Sequence, residues 1–217
     1  MTLRATLSAM LFALAMGTPA GYYALGDSMA SGIGATPAQA FPVVLAQDVH
    51  VPVANLSITG AMTSDVLERE ARAVDKDAAL VTIDAGIIDV LAVYKRAETL
   101  RDARATYRRL VALVHSEAPQ ARIVLVTVID RTKLSRTSVG RVPLRSFAQI
   151  RAITTAFNAT IESLGYPVCE IGAAYYTPSN FVPDGFHPSL RGARYIARCI
   201  RDALQRPPPA ALAVSSS

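Results

Sequence analysis

Charge is scarce in this sequence: charged residues make up 18% of its 217 positions, against 51% hydrophobic. That balance excludes disorder over most of the length and suits one compact domain with a sizeable core. Histidine is scarcer still, with three residues, and no His or Cys cluster has metal-ligand spacing. No glycine-rich phosphate loop follows the first apolar run, which argues against a nucleotide-binding module. Internal repeats and a second domain are absent too. The net charge of +5 is modest and does not by itself suggest nucleic acid. Only two cysteines are present, Cys169 and Cys199. An even count permits one disulfide in an oxidising compartment, yet each is equally an ordinary buried apolar residue, and a core of this size needs no staple.

Long apolar runs are also missing. The segment ATLSAMLFALAM has twelve residues, too few for the roughly 20 that carry a helix across a bilayer. Preceded by MTLR and followed by GTPAG, it has the layout of a secretory signal peptide over residues 1–20; the alternative is an uncleaved membrane-surface anchor. The expected location is therefore secreted or periplasmic. Residues 206–217, RPPPAALAVSSS, read as a disordered tail, which leaves 21–205 for the folded domain.

Within that domain, apolar runs alternate with segments of helical period. Candidate strands are Tyr22–Leu25, Val51–Leu56, Leu80–Ile83, Arg122–Val128 and Tyr166–Ile171. ALVTI and RIVLVTVI are continuously apolar, as strands covered on both faces should be. Leu67, Ala71 and Val74 mark one helical stripe, and Leu100, Ala103, Tyr107, Leu110, Val111 and Val114 a longer one. Helices near 38–48, 146–164 and 189–204 complete the alternation. The order predicts a three-layer α/β/α sandwich around a mostly parallel, flavodoxin-like sheet of five strands. Such sheets gather ligands at the carboxyl ends of their strands.

The first of those ends reads YYALGDSMASGIG, residues 22–34. Ser28 stands there among small residues, where a sharp turn exposes a hydroxyl. A serine hydroxyl needs a base within reach, and the base needs an orienting partner. His50 lies on the wrong side of the second strand, and His115 falls at a helix C-terminus, where imidazole suits the dipole. His187, in NFVPDGFHPSL, lies in a loop between the last strand and the last helix, with Asp184 three residues before it. A D-x-x-H turn can bring the carboxylate to Nδ1 and leave Nε2 to face Ser28. The competing assignment is an Asp–His pair that caps the last helix.

These segments resemble the GDSL-type hydrolases, also called the SGNH family, over most of residues 22–204. GDS at 26–28 matches the family's first block, NLSITGAMT at 55–63 its second and DGFHPS at 184–189 its last. The resemblance implies that Ser28 is the nucleophile, His187 the general base and then acid, and Asp184 the residue that orients the imidazole. It also implies an oxyanion hole built from the backbone N–H groups of Ser28 and Gly60. No metal or organic cofactor is expected.

One block departs from the pattern. The family's third block is G-x-N-D, whose asparagine supplies a further oxyanion donor; here TIDAGIIDV keeps Gly86 and Asp89 but has Ile88 in the asparagine's place. Loss of one such donor costs about 10²–10³ in turnover. Asn180 is the nearest substitute by sequence, and Asp84 is a carboxylate that either caps its loop or faces the site. On the substrate side, residues 131–151 carry Arg131, Lys133, Arg136, Arg141, Arg145 and Arg151 without an acidic residue. They form either a solvated basic surface or a lid for anionic substrates or an anionic envelope surface. The expected partner is a small-molecule or lipid ester, with no nucleic acid and no obligate protein partner. The whole points to an exported serine hydrolase that cleaves lipid, short-chain acyl or thioesters through an acyl-enzyme on Ser28. The alternatives are a catalytically impaired binding protein, which Ile88 favours, and a carbohydrate O-acetyl esterase.

Overall fold

Strands form where the continuously apolar runs can be covered on both faces. In the computed structural model, which describes residues 21–134 and 147–206, these are β1 (Tyr22–Gly26), β2 (Val53–Asn55), β3 (Leu80–Asp84), β4 (Arg122–Val126) and β5 (Val168–Cys169). All pair in parallel, in the order β2-β1-β3-β4-β5. The expected signal peptide (1–20), the basic stretch 135–146 with Arg136, Arg141 and Arg145, and residues 207–217 of the tail lie outside the described residues.

β1 and β3 run one residue beyond their apolar runs, to Gly26 and Asp84, whereas β2, β4 and β5 are shorter than theirs; around β4 and β5 side chains take over backbone hydrogen bonds. Asn158 receives the Val128 N–H at its Oδ1 and donates Nδ2 to the Val128 carbonyl, both at 2.9 Å, so β4 stops at Val126. The Ile171 N–H donates to Thr127 Oγ1 rather than to a backbone carbonyl (2.8 Å), and Pro167 has no N–H to offer.

Among the described residues seven α-helices cover the sheet: α1 (Ser28–Ser31), α2 (Phe41–Val49), α3 (Thr63–Asp65), α4 (Ile87–Tyr94), α5 (Leu100–Glu117), α6 (Phe147–Glu162) and α7 (Leu190–Gln205). On one face α2 packs against α7; on the other, α4, α5 and α6 pack together. The long stripe behaves as its period predicts, with Ala103, Tyr107, Leu110, Val111 and Val114 buried on α5. The helix α4 was not legible as one, being hidden inside the third family block.

The Leu67–Ala71–Val74 stripe does not form the regular helix its spacing suggests. After α3 the chain widens into a π-helical turn, Val66–Glu70, and tightens into a 3₁₀ turn, Ala71–Ala73. The wide turn rotates Val66 and Glu70 inward and leaves Leu67 half-buried. Such bulges recur at functional sites, and here the residue turned inward is a glutamate.

Cys169 and Cys199 are bonded, joining the end of β5 to α7. The alternative of two free buried thiols is thereby overturned. Both residues face one interface between the final strand and the helix that packs on it, which brings their Cα atoms to 5.2 Å.

Candidate active site

In a 2-1-3-4-5 sheet the chain departs in opposite directions from β1 and β3, which opens a crevice beyond their carboxyl ends. Gly26, the last residue of β1, pairs with Asp84 at the end of β3. Its φ of 149° is open to glycine, and a Cβ there would lie 2.3 Å from the Asp84 carbonyl oxygen. The next residue, Asp27, caps α1 by accepting the Met29 N–H at Oδ1 (3.0 Å). Ser28 thus begins a helix two residues after the strand ends, and is 5% exposed at the crevice floor.

The histidine arrives from the other end of the chain. Asp184 Oδ1 accepts the N–H groups of Phe186 (2.7 Å) and His187 (2.9 Å), which closes a tight turn. Its Oδ2 lies 2.6 Å from His187 Nδ1, and His187 Nε2 lies 3.1 Å from Ser28 Oγ. Burial alone would raise the Asp184 pKa, but the bonds from the His187 ring and from the Phe186 and His187 amides outweigh it and hold the carboxyl below its ordinary value. An ionised Asp184 favours the tautomer that carries its proton on Nδ1 and leaves a lone pair at Nε2, facing the hydroxyl. Asp184 and His187 do not cap α7; Ser189 does, its Oγ accepting the Gly192 N–H at 3.3 Å. Of the other histidines, His50 ends α2 in a left-handed conformation and His115 stacks edge-on against Tyr166.

Gly60 lies in the loop after β2, exposed, with φ 77°, and apart from its chain neighbours no described residue comes within 4 Å of where a Cβ would stand. The space beside it is open to a ligand. The loop is fastened to β1 by the Ile58 N–H, which donates to the Gly26 carbonyl at 3.0 Å. A second tie joins Ser31 Oγ and Thr59 Oγ1 at 2.9 Å. Neither the Ser28 nor the Gly60 amide donates to another described residue.

The other expectations fare unevenly. Ile88 sits in the first turn of α4, half-buried and packed on the core. Asn180 does not serve as its substitute: it is 4% exposed, and its Nδ2 donates to the Tyr175 carbonyl at 2.9 Å. No hydrogen bond joins it to Ser28, Gly60 or His187 among the described residues. Asp84 does not cap its loop either; its Oδ2 is buried without a hydrogen-bond partner among the described residues. Burial, and after it the neighbouring charge of Asp27, push its pKa well above the ordinary carboxylate range. Arg131 is not part of a solvated surface. It is 6% exposed with its guanidinium 4.8 Å over the Phe186 ring, and Phe186 in turn leans edge-on against His187. Burial draws Arg131 down to about 10, against the pull of the Asp27 charge.

Two residues beneath the site carried no sequence signal of their role. Glu70, turned inward by the π-helical turn, accepts the Gly26 N–H at Oε2 (2.7 Å) and the Ile58 N–H at Oε1 (3.2 Å). One carboxyl therefore holds the strand that presents Ser28 and the loop that presents Gly60. Burial outweighs these two donors and pushes Glu70 up to about 8, and it pushes Asp27 up to about 7. Asp89, visible in the third block as a match but not as a contact, accepts the Thr63 N–H with both oxygens (3.2 and 3.0 Å) and so anchors the residue three beyond Gly60. A polar side chain one π-turn out of register is invisible to a period of 3.6. Among the described residues, no group of His, Cys, Asp and Glu could hold a metal ion.

The model of the GDSL-like Lipase/Acylhydrolase family matches residues 24–195. No curated protein matches the sequence significantly. Similar solved structures include phospholipase A1 from Streptomyces albidoflavus NA297, at 21% identity and TM-score 0.62 over 86% of this chain and 100% of that one. An extracellular lipase from Streptomyces rimosus gives 22% and 0.64 over 84% and 99%. A psychrotrophic esterase from Pseudoalteromonas sp. gives 16% and 0.65 over 86% and 97%. At these identities the structures share the fold, while the family match runs from within β1 into α7 and takes in every block described above. The chain belongs to the GDSL-like lipase/acylhydrolase family and is a carboxylic ester hydrolase.

Proposed function

We propose that Ser28 is the nucleophile of this hydrolase and that it works through an acyl-enzyme. The observation that carries the proposal is the unbroken chain from Ser28 Oγ to His187 Nε2 (3.1 Å) and from His187 Nδ1 to Asp184 Oδ2 (2.6 Å). As Oγ bonds to the ester carbonyl carbon, Nε2 takes the hydroxyl proton and the carbonyl electron pair moves onto oxygen. The Ser28 and Gly60 amides donate to that oxyanion. When it collapses, the bond to the alcohol oxygen breaks and His187 hands it the proton. Water repeats the sequence: it attacks the acyl carbon, gives a proton to His187, and the acid leaves as Ser28 recovers its hydrogen. No step requires a cofactor.

The substrates we propose are lipid or short-chain acyl esters and thioesters; the names of the phospholipase and the lipase that share the fold favour the lipid end of that range. We also propose export, with residues 1–20 removed as a signal peptide. The layout of MTLR, the apolar run and GTPAG supports it, and so does the Cys169–Cys199 bond, since structural disulfides persist in oxidising compartments.

A fluorophosphonate probe tests the nucleophile. Stoichiometric labelling of the folded chain that vanishes in Ser28→Ala is the expected result; no labelling of the parent would favour the impaired binding protein that Ile88 suggests. A series of 4-nitrophenyl esters of increasing chain length then ranks the acyl groups, and an acetylated sugar tests the carbohydrate alternative. For export, the mature N-terminus found outside the cytoplasm is expected after Gly17 or Ala20.

A further inference from the structure

A second concave region lies away from Ser28, between α2 and α7. It is an open groove of about 480 Å³ whose lining includes Gln39, Asp48, Leu190, Arg194, Arg198 and Arg201. The helix α7 buries Ala193, Ile196, Ala197, Ile200 and Ala203 against the core. Its arginines recur at 191, 194, 198 and 201, a three-and-four spacing that puts them on one face. Arg201 has an acidic neighbour, Asp48, at 3.7 Å. Arg194 and Arg198 are exposed and form no hydrogen bond or ion pair with any described residue. A row of like charges one turn apart repels itself, which makes it a costly way to gain mere solubility.

Two short stretches of chain link the groove's lining to the histidine loop. Gly34 lies against the histidine loop, where a Cβ on it would stand 2.6 Å from Val182 Cγ2 and 3.6 Å from His187 Cβ. From there the chain runs five residues to Gln39 in the groove wall, and Leu190 begins α7 three residues after His187. At the mouth, Ile33 and Ile58 are two of the three large hydrophobic residues exposed among those described, at 40% and 38%. They are carried on the two loops joined by the Ser31–Thr59 contact.

We infer that this face docks on an anionic phospholipid bilayer: Arg194 and Arg198 meet headgroup phosphates while Ile33 and Ile58 enter the interface beside the mouth. The charge matches a phosphate-rich plane, and the exposed isoleucines match a surface with an apolar layer beneath it, which a nucleic acid or an acidic protein does not offer. The inference rests on the proposed lipid substrate only in saying what the mouth would meet there, and its test does not need turnover.

The test uses the full chain carrying Ser28→Ala, so that the vesicles stay intact. Sedimentation compares vesicles of phosphatidylcholine alone with vesicles containing about one-third phosphatidylglycerol. The expected result is association at least about tenfold tighter with the anionic vesicles, falling as salt rises from about 50 to about 300 mM. Arg194→Gln with Arg198→Gln should weaken it about 30-fold, since each arginine near such a surface contributes about a fivefold factor. Arg101→Gln with Arg108→Gln, an equal loss of charge on α5, should leave it near the parent, and thermal midpoints show that both double variants remain folded. Ile33→Ser with Ile58→Ser should weaken binding to both kinds of vesicle. The inference is overturned if both vesicles bind alike or if the two arginine pairs behave alike. It is equally overturned if inorganic phosphate at millimolar concentration displaces the protein, or if a single-stranded oligonucleotide binds as tightly with the same loss in the Arg194/Arg198 variant. A chain that fails to hydrolyse esters would leave these outcomes unchanged.

Discussion

Around Ser28 the supporting contacts are buried and distant in sequence; around His187 they are short and local. Gly26 is held by Glu70, 44 residues on, and Thr63 by Asp89, 26 residues on. By contrast, Asp184 bonds Phe186 and His187 within three residues, and the Val182 N–H donates to the His187 carbonyl at 3.0 Å. Over a longer range the loop meets Arg131, which lies over the Phe186 ring, and it is bracketed by the Cys169–Cys199 bond at a separation of 30. The nucleophile is therefore positioned by the core, and the base by a turn whose ends are tied. Damage to the first side should appear as lost packing around the oxyanion donors. Damage to the second should appear either in the chemistry or in the stability of the whole fold, according to which tie is cut.

The largest effect is expected on the local side. Asp184→Asn keeps the shape of the turn but presents an amide to Nδ1, and kcat on a soluble 4-nitrophenyl ester should fall by about 10⁴. A fall of only a few-fold would show that the carboxylate does not govern the tautomer. Next comes the staple. Replacing both Cys169 and Cys199 by serine releases a loop of about 30 residues, which should lower the urea unfolding free energy by about 3.5 kcal/mol. Because the Asp184 turn keeps its own bonds, the folded fraction should retain kcat within a few-fold.

On the core side, Ile88→Asn restores the amide that the family's third block carries, and kcat should rise by about 10² if the missing donor limits the rate. Unchanged turnover would mean that the Ser28 and Gly60 amides suffice. The smallest effect is that of Glu70→Gln. Its amide cannot accept from both the Gly26 and Ile58 N–H groups, so about 1–3 kcal/mol of stability should be lost, most of it at low pH. Glu70 is raised to about 8 from an ordinary 4.5, so the folded state keeps a proton that the unfolded chain releases. Its contribution is complete below about pH 4.5 and is lost as pH rises through about 8. Thermal midpoints from pH 5 to pH 9 should therefore fall less steeply in the variant than in the parent. Identical slopes would show that Glu70 does not hold that proton.

The same asymmetry explains what could be read in advance. The Asp184–His187 turn was legible because its partners lie within four residues and its chemistry is confined to residue types that are rare here. The five strands were legible from apolar runs, although Asn158, Thr127 and Pro167 trimmed β4 and β5 by claiming or lacking backbone partners. Arg131 was misjudged because a basic run reads as surface, whereas this one guanidinium lies over the Phe186 ring. Asn180 was misjudged because closeness in sequence to the histidine loop says nothing about which carbonyl its amide will meet.

By itself, the sequence determined the alternation of strands and helices, the candidate hydroxyl and imidazole, and the turn that charges the latter with a carboxylate. These follow from periodicity and from bonds that close within a few residues. Tertiary structure alone decided that Glu70 would bridge strand and loop, that Cys169 and Cys199 would meet, and that Arg194 and Arg198 would stand beside a groove, paired with no described residue. Each depends on how separate elements rotate and pack against one another, and packing is a property of the whole chain that no local pattern carries.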